Sequence, residues 1–505
     1  MTDPHHLAAD DWPALSGGTA GPAALRPLLE EVLAALSAGA QRRGGPIAAG
    51  RPAEAADRVR AALADATGPA ALARLTELLA HGGADPADPA CAAHLHCPPL
   101  AVAAAADLAV SALNPSQDSW DQAPAATALE RELLAELAAL VGFDPAGSAG
   151  VLTSGGTESN LMGLMLARDR RLGPDVELDG VPPGVRPRIL ASQAAHFSVQ
   201  RAAALLGLGE RAVRAVPVDR TLRMDPAALA EALAATAREG AVPVAVVATA
   251  GTTDTGAIDP LGPVADLASR YGAWLHVDAA YGGGALFSDR LSPLLAGVER
   301  ADSVSLDWHK LGWQPAAAGV FLVRRAETYA SLARRAVYLN PADDEEAGYP
   351  SLLGLSLRTT RRPDAFKLAV TLRTLGRAGL GRMVDRCHEL ALAAAELVRA
   401  EPALELHCDP VLTTVVFRYL PTGTAGSAVD PAAADRINAE LRRELLRTGR
   451  AVVGRTELPA PAHSSNAAGL VRLKLTLLNP RTTPSDLADL LAAVVRAGRR
   501  VEQSS

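Results

Sequence analysis

Apolar residues recur at helical steps in "LRPLLEEVLAAL" and again in "LARLTELLAHGG", with the Gly/Pro break "RRGGPIAAGRP" between them. This pattern predicts a helical segment over residues 25–84, preceded by a disordered tail, residues 1–24, rich in Ala, Gly, Pro and Asp and without periodicity. In "ALERELLAELAALVGF", Leu129, Leu133, Leu134, Leu137 and Leu140 share one face with charges between them, which predicts an amphipathic helix. The period then changes. From about residue 148 to 325, short β-branched or apolar runs ("RILASQ", "AVRAVPV", "PVAVVAT", "AWLHVD", "DSVSLD", "AGVFLV") alternate with helical stretches. Such alternation predicts an α/β fold, a largely parallel sheet covered by helices on both faces, with ligands at the carboxyl ends of the strands. Beyond the Gly/Pro/Asp stretch "YLNPADDEEAGYPSLLG" come long helices, then a smaller α/β unit with "LTTVVFRYL" and "LVRLKLTLL" as strands and "SDLADLLAAVVRAG" as a closing helix. The expected division is a large ligand-binding domain over residues 85–360 and a small C-terminal domain over 361–505.

Composition agrees with that class. Apolar residues make up 49% of the 505 positions but aromatics only 3%, so the core is built from Ala, Leu and Val, which suits helices and buried parallel strands. A net charge of −7 with no basic stripe argues against nucleic acid or an anionic membrane as partner. The run "PLAVAAAADLAVSAL" is interrupted by Asp107 and is too short to span a bilayer. Four cysteines without scaffold spacing, and a start lacking a charged region followed by an apolar one, fit a protein of the reducing cytoplasm.

Candidate chemistry centres on a rare residue type. The chain has three lysines among 49 basic residues. Lys474 lies on an alternating strand and is expected to face solvent; Lys367 lies on an arginine-flanked helix. Lys310, in "SLDWHKLGW", follows a predicted strand by a few residues, at the same sheet edge as Asp278 in "HVDAAYGGG". A lysine in a partly apolar pocket loses charge readily and can attack a carbonyl. The turn "TSGGTESN" places Ser154, Gly155, Gly156 and Thr157 before a helix, either a phosphate cradle or an ordinary Gly-rich turn with a Thr cap. Asp278 suits a protonated ring nitrogen or a simple cap. Together, an anion cradle, a strand-end carboxylate and a lysine one βα unit later describe a site for pyridoxal 5′-phosphate. His196, after "RILASQAA", ends another predicted strand at this edge. His94 and His96 in "HLHC" share one face of an extended segment, but nothing nearby completes a coordination shell, so no metal is expected.

The stretches "TSGGTESN", "SQAAHFSVQRAA", "TAGTTDTGAIDP", "HVDAAYGG" and "SLDWHK" resemble the group II pyridoxal-dependent amino-acid decarboxylases over roughly residues 85–495. "AHLHCPPL", "LNPSQDSWDQAPAAT", "SLRTTRR" and "LKLTLLNP" are most similar to the diaminobutyrate and siderophore-type lysine decarboxylases of that family. The resemblance implies fold type I, the aspartate aminotransferase-like fold, with a mostly parallel seven-stranded sheet and a smaller C-terminal α/β domain. It implies that Lys310 is the Schiff-base lysine, that Asp278 pairs with the pyridine nitrogen, and that His196 stacks on the ring. Gly156, Thr157 and His309 would hold the phosphate, Thr253 and Ala280 would pack around the ring, and Tyr349 is the candidate proton donor. His94 and His96 would line the substrate side, and Asp118 and Asp121 are either partners for the distal ammonium of a diamino acid or solvated caps. The implied reaction is decarboxylation of an L-amino acid to its amine, with diaminobutyrate, ornithine or lysine as candidate substrates, by a homodimer with the active site at the subunit interface and residues 25–84 clasping the partner. The alternatives are an aromatic or acidic substrate, an oxidative aldehyde synthase or decarboxylation-dependent transaminase, and a non-catalytic binding homologue. The chain departs from its relatives at "LGW" after Lys310 and at Pro363, and the first of these is expected to set substrate preference.

Overall fold

The structure, a computed structural model, describes residues 13–173, 175–333, 336, 338–422, 430–458 and 471–504. Its centre is a seven-stranded sheet built from β1 (Ala149–Thr153), β2 (Pro187–Ser192), β3 (Val213–Val216), β4 (Val242–Thr249), β5 (Trp274–Ala279), β6 (Ser303–Asp307) and β7 (Gly319–Val323), in spatial order β1, β7, β6, β5, β4, β2, β3. The pairs β2/β3, β2/β4, β4/β5 and β5/β6 are parallel, and β7 alone runs against both its neighbours. Six of these strands are the six apolar runs of the sequence. The seventh, β1, has a weak pattern because it carries Gly150, where a Cβ would meet Phe321 O at 2.6 Å; the strand exists through its pairing with β7.

Register places the chemistry. Thr249 pairs with Asp278 across β4/β5, and Asp278 with Ser305 across β5/β6, so the carboxyl ends of three central strands present Thr249, Asp278 and Asp307 along one edge. Continuous burial of β4, β5 and β6 reflects cover on both faces, by helices such as Gly156–Leu172 on one side and Leu261–Arg270 on the other.

A second, fully antiparallel sheet follows, with β8 (Leu404–Leu406), β9 (Thr414–Tyr419), β10 (Gly454–Glu457) and β11 (Val471–Thr476) in the order β10, β11, β9, β8. The long helix Ala365–Ala400 breaks at Gly376, whose φ is +65°, and serves both cores: Leu368, Leu372 and Leu380 join the core under the large sheet, while Leu390, Ala394 and Val398 join the core under the small one. Near the start, the helices Gly21–Arg43 and Ala71–Gly82 pack so closely that a Cβ on Gly39 would meet Glu77 O at 2.5 Å. The first takes in the last four residues, 21–24, of the expected tail.

Two readings of the sequence, those of Lys474 and of "LGW", are corrected here, and Lys367 lies on its expected helix. Lys474 does not face solvent: it is buried, and its Nζ donates to Thr253 O at 3.0 Å and Asp254 Oδ1 at 3.2 Å, because the face of β11 on which it lies is covered by a loop of the large sheet. Lys367 is wholly buried and lies 3.0 Å from both Asp107 and Asp364. The "LGW" tripeptide turns away from the ligand edge, since Trp313 is buried in the core with its indole N–H on Leu478 O at 2.7 Å. Among the described residues no helix is long and apolar enough to cross a membrane.

Candidate active site

A cavity of about 420 Å³ opens at the carboxyl edge of β4, β5 and β6. Gly156, Thr157, His196, Thr253, Asp278, Ala280, His309 and Lys310 all line it, so eight positions spread over 155 residues of sequence converge there. Lys310 Nζ lies 2.9 Å from Asp307 Oδ2; the lysine side chain is 19% exposed and the carboxylate 3%. Asp307 Oδ1 and Thr249 Oγ1 are buried without hydrogen-bond partners among the described residues, and both residues line the cavity. Burial lowers the pKa of His309 and of His196, against the opposing pull of Asp307 on the first and Asp278 on the second. The backbone N–H of Ser198 donates to His196 Nδ1 at 3.3 Å, which leaves Nε2 to carry the ring proton of the neutral form. The thiol of Cys97, pushed up to about 12 by burial, holds the His309 carbonyl at 3.2 Å.

Behind Asp278 runs a chain of hydrogen bonds with one consistent direction. The indole N–H of Trp274 donates to Ser303 Oγ at 2.8 Å, and Ser303 Oγ lies 2.8 Å from His276 Nδ1. His276 Nε2 lies 2.9 Å from Asn160 Oδ1, and Asn160 Nδ2 donates to Asp278 Oδ2 at 2.7 Å and Ser198 Oγ at 2.9 Å. An amide oxygen can only accept, so His276 Nε2 donates and Nδ1 accepts, which is the neutral imidazole; full burial lowers the pKa of His276 to about 4, in agreement. The other oxygen of Asp278 accepts from the Ala280 N–H at 3.1 Å. Gly163 makes this possible: a Cβ there would meet His276 Nδ1 at 2.6 Å.

The anion turn is held from outside. Ser154 N donates to Glu158 Oε2 at 2.7 Å, Arg358 Nε donates to Glu158 Oε1 at 3.0 Å, and Arg358 Nη2 donates to Leu152 O at 2.9 Å. Leu152 N donates to Glu130 Oε1, which also accepts from the buried Arg361 at 2.7 Å. Both arginines of "SLRTTRR" that bracket its threonines therefore clamp the strand and turn that lead into the helix Gly156–Leu172. Sequence reasoning passed over Asn160, His276, Asp307, Glu158 and Arg358; Asn160, His276 and Arg358 act through partners distant in sequence, whereas Asp307 lies three residues before Lys310. Glu158 also had a local signal, four residues after Ser154 at a helix start.

Residues 72–420 match the family model of the pyridoxal-dependent decarboxylase conserved domain. The chain belongs to this family. It is 46% identical over 414 residues to an L-2,4-diaminobutyrate decarboxylase of Rhizobium meliloti (strain 1021), covering 82% of this chain and 79% of that one. It is 38% identical over 445 residues to the protein of the same name from Acinetobacter baumannii, covering 86% and 84%. Among solved structures, the glutamate decarboxylase domain of a diaminobutyrate-pyruvate transaminase and L-2,4-diaminobutyrate decarboxylase from Vibrio parahaemolyticus superposes with a TM-score of 0.83 at 34% identity, covering 96% of this chain and 98% of that one. The pyridoxal-dependent decarboxylase is an enzyme of fold type I, and its cofactor is pyridoxal 5′-phosphate. Its residues fit that group: a Cβ on Gly155 would meet His309 Cε1 at 3.0 Å and one on Gly156 would meet Ala280 Cβ at 2.9 Å, so the glycines keep the anion turn open. Asp307 and Thr249, each with a buried unpartnered oxygen, line the same space.

The remaining candidates do not line this cavity. His94 lies in a bend and His96 just after it, neither on a strand, and both are exposed on either side of Leu95, which does line it. Extended pairing ends at Cys91, so the two rings share no strand face. Asp121 is exposed and accepts from Ser119 Oγ at 2.6 Å, while Asp118 has one buried oxygen, Oδ1, without a partner. Tyr349 is 50% exposed and packs edge-on against Trp120, with ring centroids 6.3 Å apart. No group of three or more His, Cys, Asp or Glu among the described residues could hold a metal ion.

Proposed function

We propose that this decarboxylase converts a short L-diamino acid, L-2,4-diaminobutyrate, to 1,3-diaminopropane and CO2. The observation that carries the substrate is the 46% identity to a diaminobutyrate decarboxylase over 82% of the chain. In this reading Lys310 is the point of covalent attachment for the cofactor, and Asp278 pairs with its ring nitrogen. His196 faces the ring, with Thr253 and Ala280 packed around it, while Gly156, Thr157 and His309 hold the phosphate. The bound cofactor draws electrons from the substrate α-carbon so that the carboxyl group can leave. Asp307, buried against the lysine amine, receives and returns its proton as the lysine is engaged and released. Asn160 keeps Asp278 an acceptor aimed at one point, and the neutral His196 adds no positive charge to compete with the ring. In this reading Asp118 supplies an acceptor for the distal ammonium, with Asp121, His94 and His96 on the substrate side; none of the four lines the cavity within one chain, so they act after a movement or from a second copy. Tyr349 returns a proton to the α-carbon, which requires its loop to move or a second copy of the chain to present it.

The second-copy reading has its own support. Leu28, Leu33, Leu36, Leu63, Leu72 and Leu79 on the N-terminal helices are exposed, an apolar surface suited to a homodimer in which residues 25–84 clasp the partner. Light scattering should return twice 52.0 kDa. Four unpaired cysteines support a reducing, cytoplasmic setting.

The test is a substrate panel with added pyridoxal phosphate, in which CO2, amine, aldehyde and H2O2 are measured from each amino acid. Equal yields of CO2 and 1,3-diaminopropane, with the highest kcat/KM for L-2,4-diaminobutyrate and no aldehyde, are expected. A higher kcat/KM for an aromatic or acidic amino acid overturns the substrate, and aldehyde with peroxide overturns the outcome.

A further inference from the structure

At the edge of the large sheet opposite the cofactor cavity, where β5 and β6 begin and β7 ends, a second cavity of about 510 Å³ is lined by Arg170, Arg171, Arg300, Arg324 and Arg325, with Asp302 the one carboxylate among them. Ala268, Ala273 and Trp274 also line it. That volume lies within the range of small-molecule sites. Asp302 is already committed: one oxygen accepts from Leu275 N at 2.9 Å, and the other lies 3.1 Å from Arg324 and 3.5 Å from Arg325. Asp266 pairs with Arg300 at 2.7 Å and Glu327 with Arg325 at 3.4 Å from the rim. Arg171 donates to the carbonyl of Pro243 at 3.3 Å and meets no carboxylate, and Arg170 has no ion pair, among the described residues. The Nε of Arg324 is buried with no hydrogen-bond partner.

Five guanidinium groups thus face three carboxylates, in a chain whose net charge is −7. Arg170 and Arg171 close the last turn of the helix Gly156–Leu172, where a cation is favoured by the helix dipole. Arg300, Arg324 and Arg325 pair with the three carboxylates, so among the described residues the groups left without a counter-charge are Arg170 and Arg171, which the dipole favours but does not neutralise. A buried guanidinium N–H with no acceptor is costly, and its rigid fork matches the oxygens of phosphate or carboxylate.

We propose that this cavity is a binding site for a small anion carrying two or more phosphate or carboxylate groups, separate from the cofactor site. Arg324 and Arg171 contact the anion from the floor, and Arg170 closes over it from the rim. Two lengths of chain join this edge to the catalytic one: the helix Gly156–Leu172 begins at the anion turn and carries Arg170 and Arg171 in its last turn, and β5 begins at Trp274 and carries Asp278 near its far end.

The experiment is calorimetric titration of the holoenzyme, with pyridoxal phosphate saturating the cofactor cradle, using pyrophosphate and then citrate at constant ionic strength. Saturable binding of one anion per chain is expected, stronger for pyrophosphate if the native ligand is a phosphoester and for citrate if it is a polycarboxylate. Arg171→Ala with Arg324→Ala should weaken it by about tenfold or more, while decarboxylation without added anion is unchanged. Arg170→Glu, at an exposed position where folding is not at risk, should do the same, and Arg399→Ala on the small-sheet side should do nothing. Absence of saturable binding, or equal affinity in Arg170→Glu and wild type, would overturn the proposal.

Discussion

Single residues at this site are defined by what they accept and donate. His276 illustrates this, for it is fully buried behind the cofactor cavity and yet sets the proton polarity of the chain that ends on Asp278. Its folded-state pKa, about 4, lies below the ordinary value of 6.5, so the unfolded state binds the proton more tightly. The stabilisation from neutral His276 is therefore fully present above about pH 6.5 and is lost as pH falls toward 4, with a limiting slope of about 1.4 kcal/mol per pH unit. Urea denaturation at stepped pH should show this slope flatten in His276→Gln relative to wild type; identical pH profiles would place the titration elsewhere. Asn160→Leu removes the donor to Asp278 and leaves His276 without its acceptor. We expect a fall in kcat of about tenfold to a hundredfold, from the loss of about 1–3 kcal/mol, with KM changed far less. A KM effect alone would assign Asn160 to substrate binding.

Elements carry the next level of the site. The anion turn is short and glycine-rich, and a turn of that kind does not hold its own shape. Arg358 holds it by joining Glu158 to Leu152 O, from a segment 200 residues away. Arg358→Ala should raise the dissociation constant for pyridoxal phosphate by about tenfold, the worth of one charge-assisted bond, while the thermal unfolding of the apoenzyme shifts little. Equilibrium dialysis with the cofactor reads this directly. Unchanged cofactor affinity would make the Arg358 contact a surface feature. The break at Gly376 works at the same scale, since a positive φ in mid-helix lets one helix turn from the large core to the small one.

The whole molecule brings two sheets to one cavity, and side chains cross between them. Tyr281, which lines the cavity, lies 2.7 Å from Thr413 Oγ1 and 2.9 Å from Thr414 Oγ1 at the start of β9, and Lys474 on β11 holds the Thr253 carbonyl. Lys474→Met should free the Thr253 loop and speed loss of cofactor on dilution severalfold, with the fold retained because Asp254 remains half exposed to water. An unaltered release rate would show that the two sheets are coupled elsewhere. Local signals were enough for much of this: hydrophobic period marked six strands of the large sheet, and the Gly-rich turn, the strand-end Asp278 and Lys310 pointed to the cofactor. These are legible because each depends on near neighbours in the chain, and their order along a βαβ pattern dictates a common edge. What only the tertiary structure decided are the partners: Asp307 beside Lys310, Asn160 and His276 behind Asp278, Arg358 around the anion turn, and the burial of Lys367, Lys474 and Trp313. Asp307 and Lys310 are three residues apart and meet through the turn that follows β6; the other roles rest on contacts between segments tens to hundreds of residues apart, and no period or local motif encodes which of several arginines, lysines or tryptophans will meet them.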